Sequence, residues 1–410
     1  MKNEIENIIN SFFLDFDQRK LDTLDKMLFS ILLNREMMLF KGKSRKEAAE
    51  LDRILSRYWD YRNLILNRIA RSGNLKGEML LERLYPPPTR LILLLTHACQ
   101  LKCRYCRVRK FSGSMPEEIA LKAVDLLFTS NRPDLQLQFF GGEPLLRFDL
   151  VKKAVEYAAK LNRKQKRRLT FILTTNGIAL TPEKVDFFKK HKFLIECSVD
   201  GEIENQLKMR SPVDGVDYYS RLLENYKYLF RCGVAHYSIS VVMPGNVSHM
   251  YENFRHLVKL GFRRLQMNYS LGFFWPQADI MKLFEQTAKI TGYLKDRKDI
   301  EFINKTSIRR EPVVLNAELT VDCDGGVYLE SGICLEEDFA DMKRKFLVTH
   351  IRKAKNISLY ASTPFQNFYR LSKVYSDAKP KFRKIILNNI FLGKRYEQFL
   401  KSDVADILQK

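Results

Sequence analysis

The 410-residue chain contains no run of 18 or more apolar residues, so no segment reads as a membrane-spanning helix. Its purest apolar stretch, Leu91 to Leu95, is long enough only for a buried strand. The opening Met-Lys-Asn-Glu-Ile-Glu lacks the basic-then-apolar pattern of a secretion signal, and a cytoplasmic protein is expected. Tryptophan is scarce, at 2 residues, and the 6 histidines are scattered and suggest no site of their own. Cysteines number seven, an odd count, with three of them crowded into eight residues; this disfavours a disulfide framework and favours metal binding. No internal repeat and no low-complexity tract occurs.

What is present is a globular composition, 45% hydrophobic with 28 Phe, sufficient for a sizeable core. The length allows one large domain with one or two smaller ones. The formal net charge is +22, and the stretch from Lys343 to Lys410 holds 16 Lys and Arg against 4 Asp and Glu. Such a region can meet RNA, an acidic peptide or an anionic membrane surface, or serve as a solvated helical face. Aromatic and basic residues do not alternate there as an RNA-binding signature would require.

Residues 1–86 read as a helical domain, with apolar positions at helical spacing through Ile8, Phe12 and Phe13 and again through Leu51, Ile54, Leu55 and Tyr58. Pro86-Pro87-Pro88 ends it. A second domain, 87–298, alternates strand-like runs at 91–96, 135–140, 169–174, 193–198, 236–243 and 263–268 with helical stretches near 117–129, 148–162, 182–190, 215–231, 248–260 and 277–295. This α/β pattern predicts a parallel sheet, either open and doubly wound or a partial barrel. Residues 299–410 read as a small α+β domain: a hairpin over Glu318–Glu330 turning at Asp324-Gly325-Gly326, then a basic helical tail.

The strongest chemical signal is Cys99-Gln-Leu-Lys-Cys103-Arg-Tyr-Cys106, directly after the first strand. Three thiolates on one loop can ligate three irons of a four-iron four-sulfur cubane and leave the fourth iron open to a small molecule. Zinc also takes thiolates and would need a fourth ligand, with His97 nearest. However, C-x-x-x-C-x-x-C is not the paired C-x-x-C spacing of common zinc sites. His97 itself is expected to orient the loop. Gly141-Gly142-Glu143-Pro144 follows the second strand, Thr174-Thr175-Asn176-Gly177 the third and Ser198-Val199-Asp200-Gly201 the fourth. Ligands of parallel α/β sheets bind at the carboxyl ends of strands, so all of these motifs fall on one rim.

Together, the three-cysteine loop and the Gly-Gly-Glu-Pro and Ser-x-Asp-Gly turns resemble the radical S-adenosylmethionine (SAM) superfamily. Their order and spacing resemble the branch with anaerobic sulfatase maturases and peptide-modifying SPASM-type enzymes, over about residues 89–270. The resemblance implies a partial (β/α)6 barrel, one cluster on Cys99, Cys103 and Cys106, and SAM on the open iron. An electron would split SAM into methionine and a 5′-deoxyadenosyl radical, which abstracts a substrate hydrogen. A flavodoxin or ferredoxin would be the electron donor. Tyr105 would meet the adenine through its backbone, and Gly142 and Glu143, within Gly141–Pro144, would receive the SAM amino group. Asn176, Ser198 and Asp200 would complete the polar contacts, and Arg210 would pair with the carboxylate, as a planar guanidinium suits.

Two departures qualify the resemblance. After Asp200-Gly201 the peptide-modifying enzymes carry a proline and a His-Asp pair, where this chain has Glu202, Asn205 and Gln206. Leu319–Glu330 is similar to the start of an auxiliary-cluster domain, yet Glu330 stands where a cysteine would be expected. Only Cys323 and Cys334 follow the barrel, too few for a fully thiolate-ligated auxiliary cluster. That region reads as a domain that kept the shape and lost the metal, and Cys197 and Cys232 read as core residues. The expected function is radical modification of a peptide or protein. The alternatives are modification of RNA or a small metabolite, and a non-catalytic iron–sulfur sensor or scaffold.

Overall fold

The computed structural model describes residues 88–306, 313–330, 340–360 and 378–402, with isolated positions at 53, 371, 374 and 375. The expected N-terminal helices and Cys334 lie outside the described residues. The chain divides into two compact units, Pro88–Ile357 with Asp377–Lys410, and Met1–Pro87 with Ser358–Ser376.

The strands of the larger unit are β1 (Arg90–Leu94), β2 (Leu101–Cys103), β3 (Asp134–Phe140), β4 (Arg168–Thr175), β5 (Leu194–Ser198), β6 (Arg210–Pro212), β7 (Ala235–Val242), β8 (Arg264–Tyr269), β9 (Glu301–Phe302), β10 (Glu318–Val321), β11 (Gly326–Glu330) and β12 (Leu347–His350). Its helices are α1 (Glu117–Phe128), α2 (Phe148–Gln165), α3 (Pro182–Lys190), α4 (Ile203–Met209), α5 (Tyr219–Arg231), α6 (Met250–Leu260), α7 (Gln277–Tyr293), α8 (Ile303–Thr306), α9 (Ala340–Lys345) and α10 (Pro380–Lys401). None is long and apolar enough to cross a membrane.

Ten strands form one sheet in the order β12-β11-β10-β1-β3-β4-β5-β7-β8-β9, while β2 and β6 pair separately. From β1 through β8 the order simply follows the chain, and every pair is parallel. A doubly wound sheet would reverse order part-way. This one winds in a single direction, as a partial barrel does, and it is not closed. The hairpin expected over Glu318–Glu330 forms, with β10 antiparallel to β11. It does not stand apart: β10 lies parallel to β1, so the hairpin extends the main sheet at its first edge.

Alternation along the strands separates two faces. On one, Leu91, Leu93, Leu137, Phe139, Leu173 and Ile195 are wholly buried. Phe188 of α3 and Phe139 both pack against Phe193, at 4.8 and 6.0 Å between ring centroids, so this is the helix-covered face. Each such buried side chain contributes about 1.5–3 kcal/mol, which accounts for the use of so much phenylalanine. The opposite face carries a polar cluster among the buried Ile92, Leu94 and Ile172. Glu196 accepts hydrogen bonds there from Gln138 (3.0 Å), Thr174 (2.5 Å) and Tyr237 (2.6 Å), and Gln138 also accepts one from Arg90.

Candidate cofactor site on the rim of the sheet

The cysteine loop leaves β1 and closes on itself: Thr96 donates through Oγ1 to the Gly113 carbonyl at 2.9 Å, and Thr96 bridges Ser114. Within it, β2 pairs antiparallel with β6, setting Cys103 opposite Arg210. Backbone bonds from Arg104 to Met209 (3.0 Å) and from Val213 to Gln100 (2.8 Å) extend that grip. Cys99, Cys103 and Cys106 are all half-buried. The Cys99 sulfur receives the Leu101 N–H at 3.4 Å and the Asn176 Nδ2 at 3.7 Å. Burial pushes the Cys99 and Cys103 thiols up, Cys103 to about 12, against the pull of Lys110 on the first and Arg210 on the second. Lys110 hydrogen-bonds Cys106, and although burial alone would lower it, the neighbouring sulfurs leave it raised.

The Gly-Gly-Glu-Pro turn after β3 packs directly on this loop. Gly142 N–H donates to the Thr96 carbonyl at 2.6 Å and Glu143 N–H to the Ala98 carbonyl at 2.9 Å. A Cβ on Gly141 would sit 2.5 Å from the Thr96 oxygen, and one on Gly142 would sit 2.2 Å from the Ala98 oxygen. Close approach is therefore required here, but of backbone to backbone. Pro144 opens a short 3-10 turn over Pro144–Arg147, where its missing N–H costs nothing. Glu143 is fully buried and caps that turn, with Oε1 accepting from Leu145 N–H (3.0 Å) and Thr175 Oγ1 (2.8 Å), and Oε2 from Asn176 N–H (2.8 Å). Burial raises its carboxyl above the ordinary value despite these donors.

The turn after β5 builds the other side. Arg210 is buried, and its guanidinium lies bidentate on Asp200 at 2.9 and 3.0 Å. Asp200 also accepts from Val241 N–H at 3.0 Å and from the Tyr105 hydroxyl. The Arg210 guanidinium stands 5.3 Å from the Tyr105 ring centroid. Arg210 is thus no solvated surface residue, and its partner within the chain is Asp200. Gln206, one of the residues that departs from the family pattern, accepts the Asp200 N–H at 2.7 Å; Asn205 donates to the Asp200 carbonyl at 2.9 Å. Ser198 sits half-buried at the end of β5, with its Cα opposite that of Ile239.

Comparison with known proteins agrees with this geometry. A family model, the Radical SAM superfamily, matches residues 93–258. Residues 93–258 match as a radical SAM domain. A cysteine-type anaerobic sulfatase-maturating enzyme of Clostridium novyi is 27% identical over 177 residues, 41% of this chain and 47% of that protein. The corresponding enzyme of Clostridium perfringens strain 13 is 25% identical over 275 residues, 59% of this chain and 74% of that one. The chain thus spans about half the length of the first of these relatives. Among solved structures, native anSMEcpe with bound AdoMet and the Cp18Cys peptide superposes with a TM-score of 0.63 at 18% identity, covering 79% of this chain and 99% of that one. Streptococcus suis SuiB bound to S-adenosylmethionine gives 0.53 at 14%, covering 88% and 87%. These two share the fold.

The radical SAM family uses a four-iron four-sulfur cluster and SAM, and the residues of this domain fit the pair. Thiolates closing on one zinc ion would stand about 3.8 Å apart, given a Zn–S bond of about 2.3 Å. Among the described residues, the set of three candidate ligands found within 4.8 Å of one another is His97, Asp322 and Cys323, not the three cysteines. Three thiolates on one loop can each take one iron of a cubane. His97 also turns away from the cysteines, with Nδ1 on the Arg109 carbonyl and Nε2 on Asp322, both at 2.8 Å. Sequence reading gave no role to Lys110, a cation four residues beyond the last ligand, and none to the side chains of Thr175, within a rim motif, and Gln206, among the departures from the family pattern.

Proposed function

We propose that this protein is a radical SAM enzyme that modifies a side chain of a peptide or protein. The observation that carries the reading is the convergence of Cys99, Cys103 and Cys106 with the Gly141–Pro144, Asn176 and Ser198–Asp200 turns on one rim of a singly wound parallel sheet. When bound, the cluster and SAM supply a carbon-centred radical that removes a hydrogen atom from the substrate, so no protein base is required for that step. The chain's own residues hold and orient. Cys99, Cys103 and Cys106 would ligate iron, with Lys110 offsetting thiolate charge beside Cys106. Glu143 Oε2, which accepts Asn176 N–H, keeps acceptor capacity for a second donor such as the SAM ammonium. Ser198 and the Tyr105 backbone would meet the nucleoside. Two of the five N–H donors of Arg210 are engaged by Asp200, which leaves others for a carboxylate.

A peptide substrate is favoured by the relatives and neighbours, which include sulfatase-maturating enzymes, a PqqA peptide cyclase and a SuiB structure bound to its precursor peptide SuiA. A flavodoxin or ferredoxin would supply the electron. RNA is the second reading, carried by the 16 Lys and Arg between Lys343 and Lys410.

Anaerobic reconstitution should give about four irons per chain, all lost in the Cys99/Cys103/Cys106→Ala triple variant. With SAM, a strong reductant and peptides encoded by neighbouring genes, 5′-deoxyadenosine and a peptide mass change are expected. Deoxyadenosine without a mass change in any candidate peptide would sink the peptide reading. Salt-sensitive RNA binding lost on deleting 343–410 would put RNA in its place.

A further inference from the structure

We propose that the C-terminal hairpin is a clamp on the cysteine loop, with Asp322 as its positioning residue. Because β10 adds to the free edge of β1 in parallel, with Ile92 opposite Thr320 and Leu93 opposite Val321, the hairpin turn emerges beside the residues that lead into the loop. Cys323 Sγ donates there to the Leu94 carbonyl at 3.1 Å. Asp322 reaches His97 Nε2 at 2.8 Å, and the same imidazole bonds the Arg109 carbonyl at 2.8 Å through Nδ1. One ring therefore ties the loop's start to a point beyond its last cysteine. The Arg109 carbonyl and the Asp322 carboxylate thus bracket the ring from its two nitrogens, and Asp322 fixes its orientation.

The other contacts of Asp322 are consistent with a rigid clamp. Lys343 donates to its second oxygen, and the Cys323 N–H donates to its first at 2.6 Å. Phe111, also in the loop, stacks on His97 with ring centroids 4.1 Å apart. His97 and Asp322 side chains are only 7% and 8% exposed, so neither can exchange its partner for water without the turn opening. His97, Asp322 and Cys323 lie close enough together to suggest a metal site. Yet each already has protein partners: Arg109, Lys343 and Leu94 respectively.

The test uses the full-length, metal-free protein and follows amide hydrogen exchange across residues 97–113, a readout independent of whether the cysteines hold a cluster. Asp322→Ala should speed exchange there about tenfold or more, the factor that corresponds to about 1.4 kcal/mol. Asp322→Asn keeps an acceptor for Nε2–H and should speed it less; it also serves if Asp322→Ala does not fold. Asn389→Ala removes equally buried hydrogen bonds, to Gly272 and Phe273 far along the chain, and should leave the segment unchanged. Combining Asp322→Ala with His97→Asn should add nothing to His97→Asn alone, because Asp322 acts through that ring. In the iron-loaded proteins, iron release to a chelator should follow the same order. The proposal is overturned by unchanged exchange in Asp322→Ala, by an equal rise in Asn389→Ala, by additive effects in the double variant, or by one zinc per chain that Cys323→Ser removes. If the wild type takes up no iron, the cluster reading fails while the exchange result still decides the clamp.

Discussion

The cysteine loop is gripped from two sides, and the two grips are built differently. At the β3 corner, Gly141 and Gly142 press their backbone against Thr96–Ala98, and the carboxylate behind them, Glu143, is held by neutral donors alone: two N–H groups and a hydroxyl. At the β5 corner, β6 pairs with β2, and the carboxylate behind it, Asp200, is held by a bidentate guanidinium. Both carboxylates are buried in one rim, Glu143 at 0% and Asp200 at 2% exposure. The first site depends on steric fit around a carboxylate bonded only by neutral donors, with Lys184 acting on it without a hydrogen bond, the second on a directly paired charge with ordinary strand geometry. A ligand bringing a cation gains more at the first, because nothing of opposite charge is yet bonded to Glu143.

The largest effect should come from breaking the charged grip. Arg210→Met leaves Asp200 buried with only neutral donors, and unfolding of the full-length protein should lose about 3–5 kcal/mol. Adding Asp200→Asn should restore part of that loss, since the stranded charge goes with it. A single-variant loss under about 1 kcal/mol would show that the ion pair does not hold this side, and the contrast between the grips would collapse. Next in size is the steric grip. Gly142→Ala must displace the Ala98 backbone, 2.2 Å from the added Cβ, and should cost about 3 kcal/mol with poor iron uptake. Gly292→Ala is the control of opposite sign: it lies inside α7 with nothing within 4 Å, and should gain roughly 0.5–1 kcal/mol from helix propensity.

Much of this architecture is legible in the sequence, for physical reasons that also mark where legibility ends. The six strands β1, β3, β4, β5, β7 and β8 begin and end within one or two residues of the apolar runs at 91–96 through 263–268, because burial on the helix-covered face imposes those runs. The three cysteines and the rim turns stand out because few other residue types do their chemistry. By contrast, β2 and β6 are three residues each, too short for any period to register, yet they decide where Cys103 and Arg210 meet. The Asp200–Arg210 pair spans ten residues and the His97–Asp322 pair 225; neither spacing is written in local sequence. The hairpin shows its turn chemistry but not its destination, since an edge strand reads alike whether it pairs within a small domain or on β1.

The smallest effect separates the two grips by pH. Glu143→Gln keeps the size of the side chain but removes the charge and one acceptor, so at neutral pH it should cost roughly 1–2 kcal/mol through the Leu145, Thr175 and Asn176 donors that lose full pairing. In the wild type, burial holds the Glu143 carboxyl above its ordinary value. A group raised in this way stabilises the fold fully below its unfolded pKa, and that contribution is lost as pH rises through the folded pKa. The wild type should therefore gain on Glu143→Gln as pH falls from neutrality toward the ordinary carboxylate range, measured as the difference between their unfolding free energies at each pH. A difference that stays flat, or that shrinks on acidification, would mean that Lys184 offsets the charge of Glu143 in full, and the neutral grip would be another charged one.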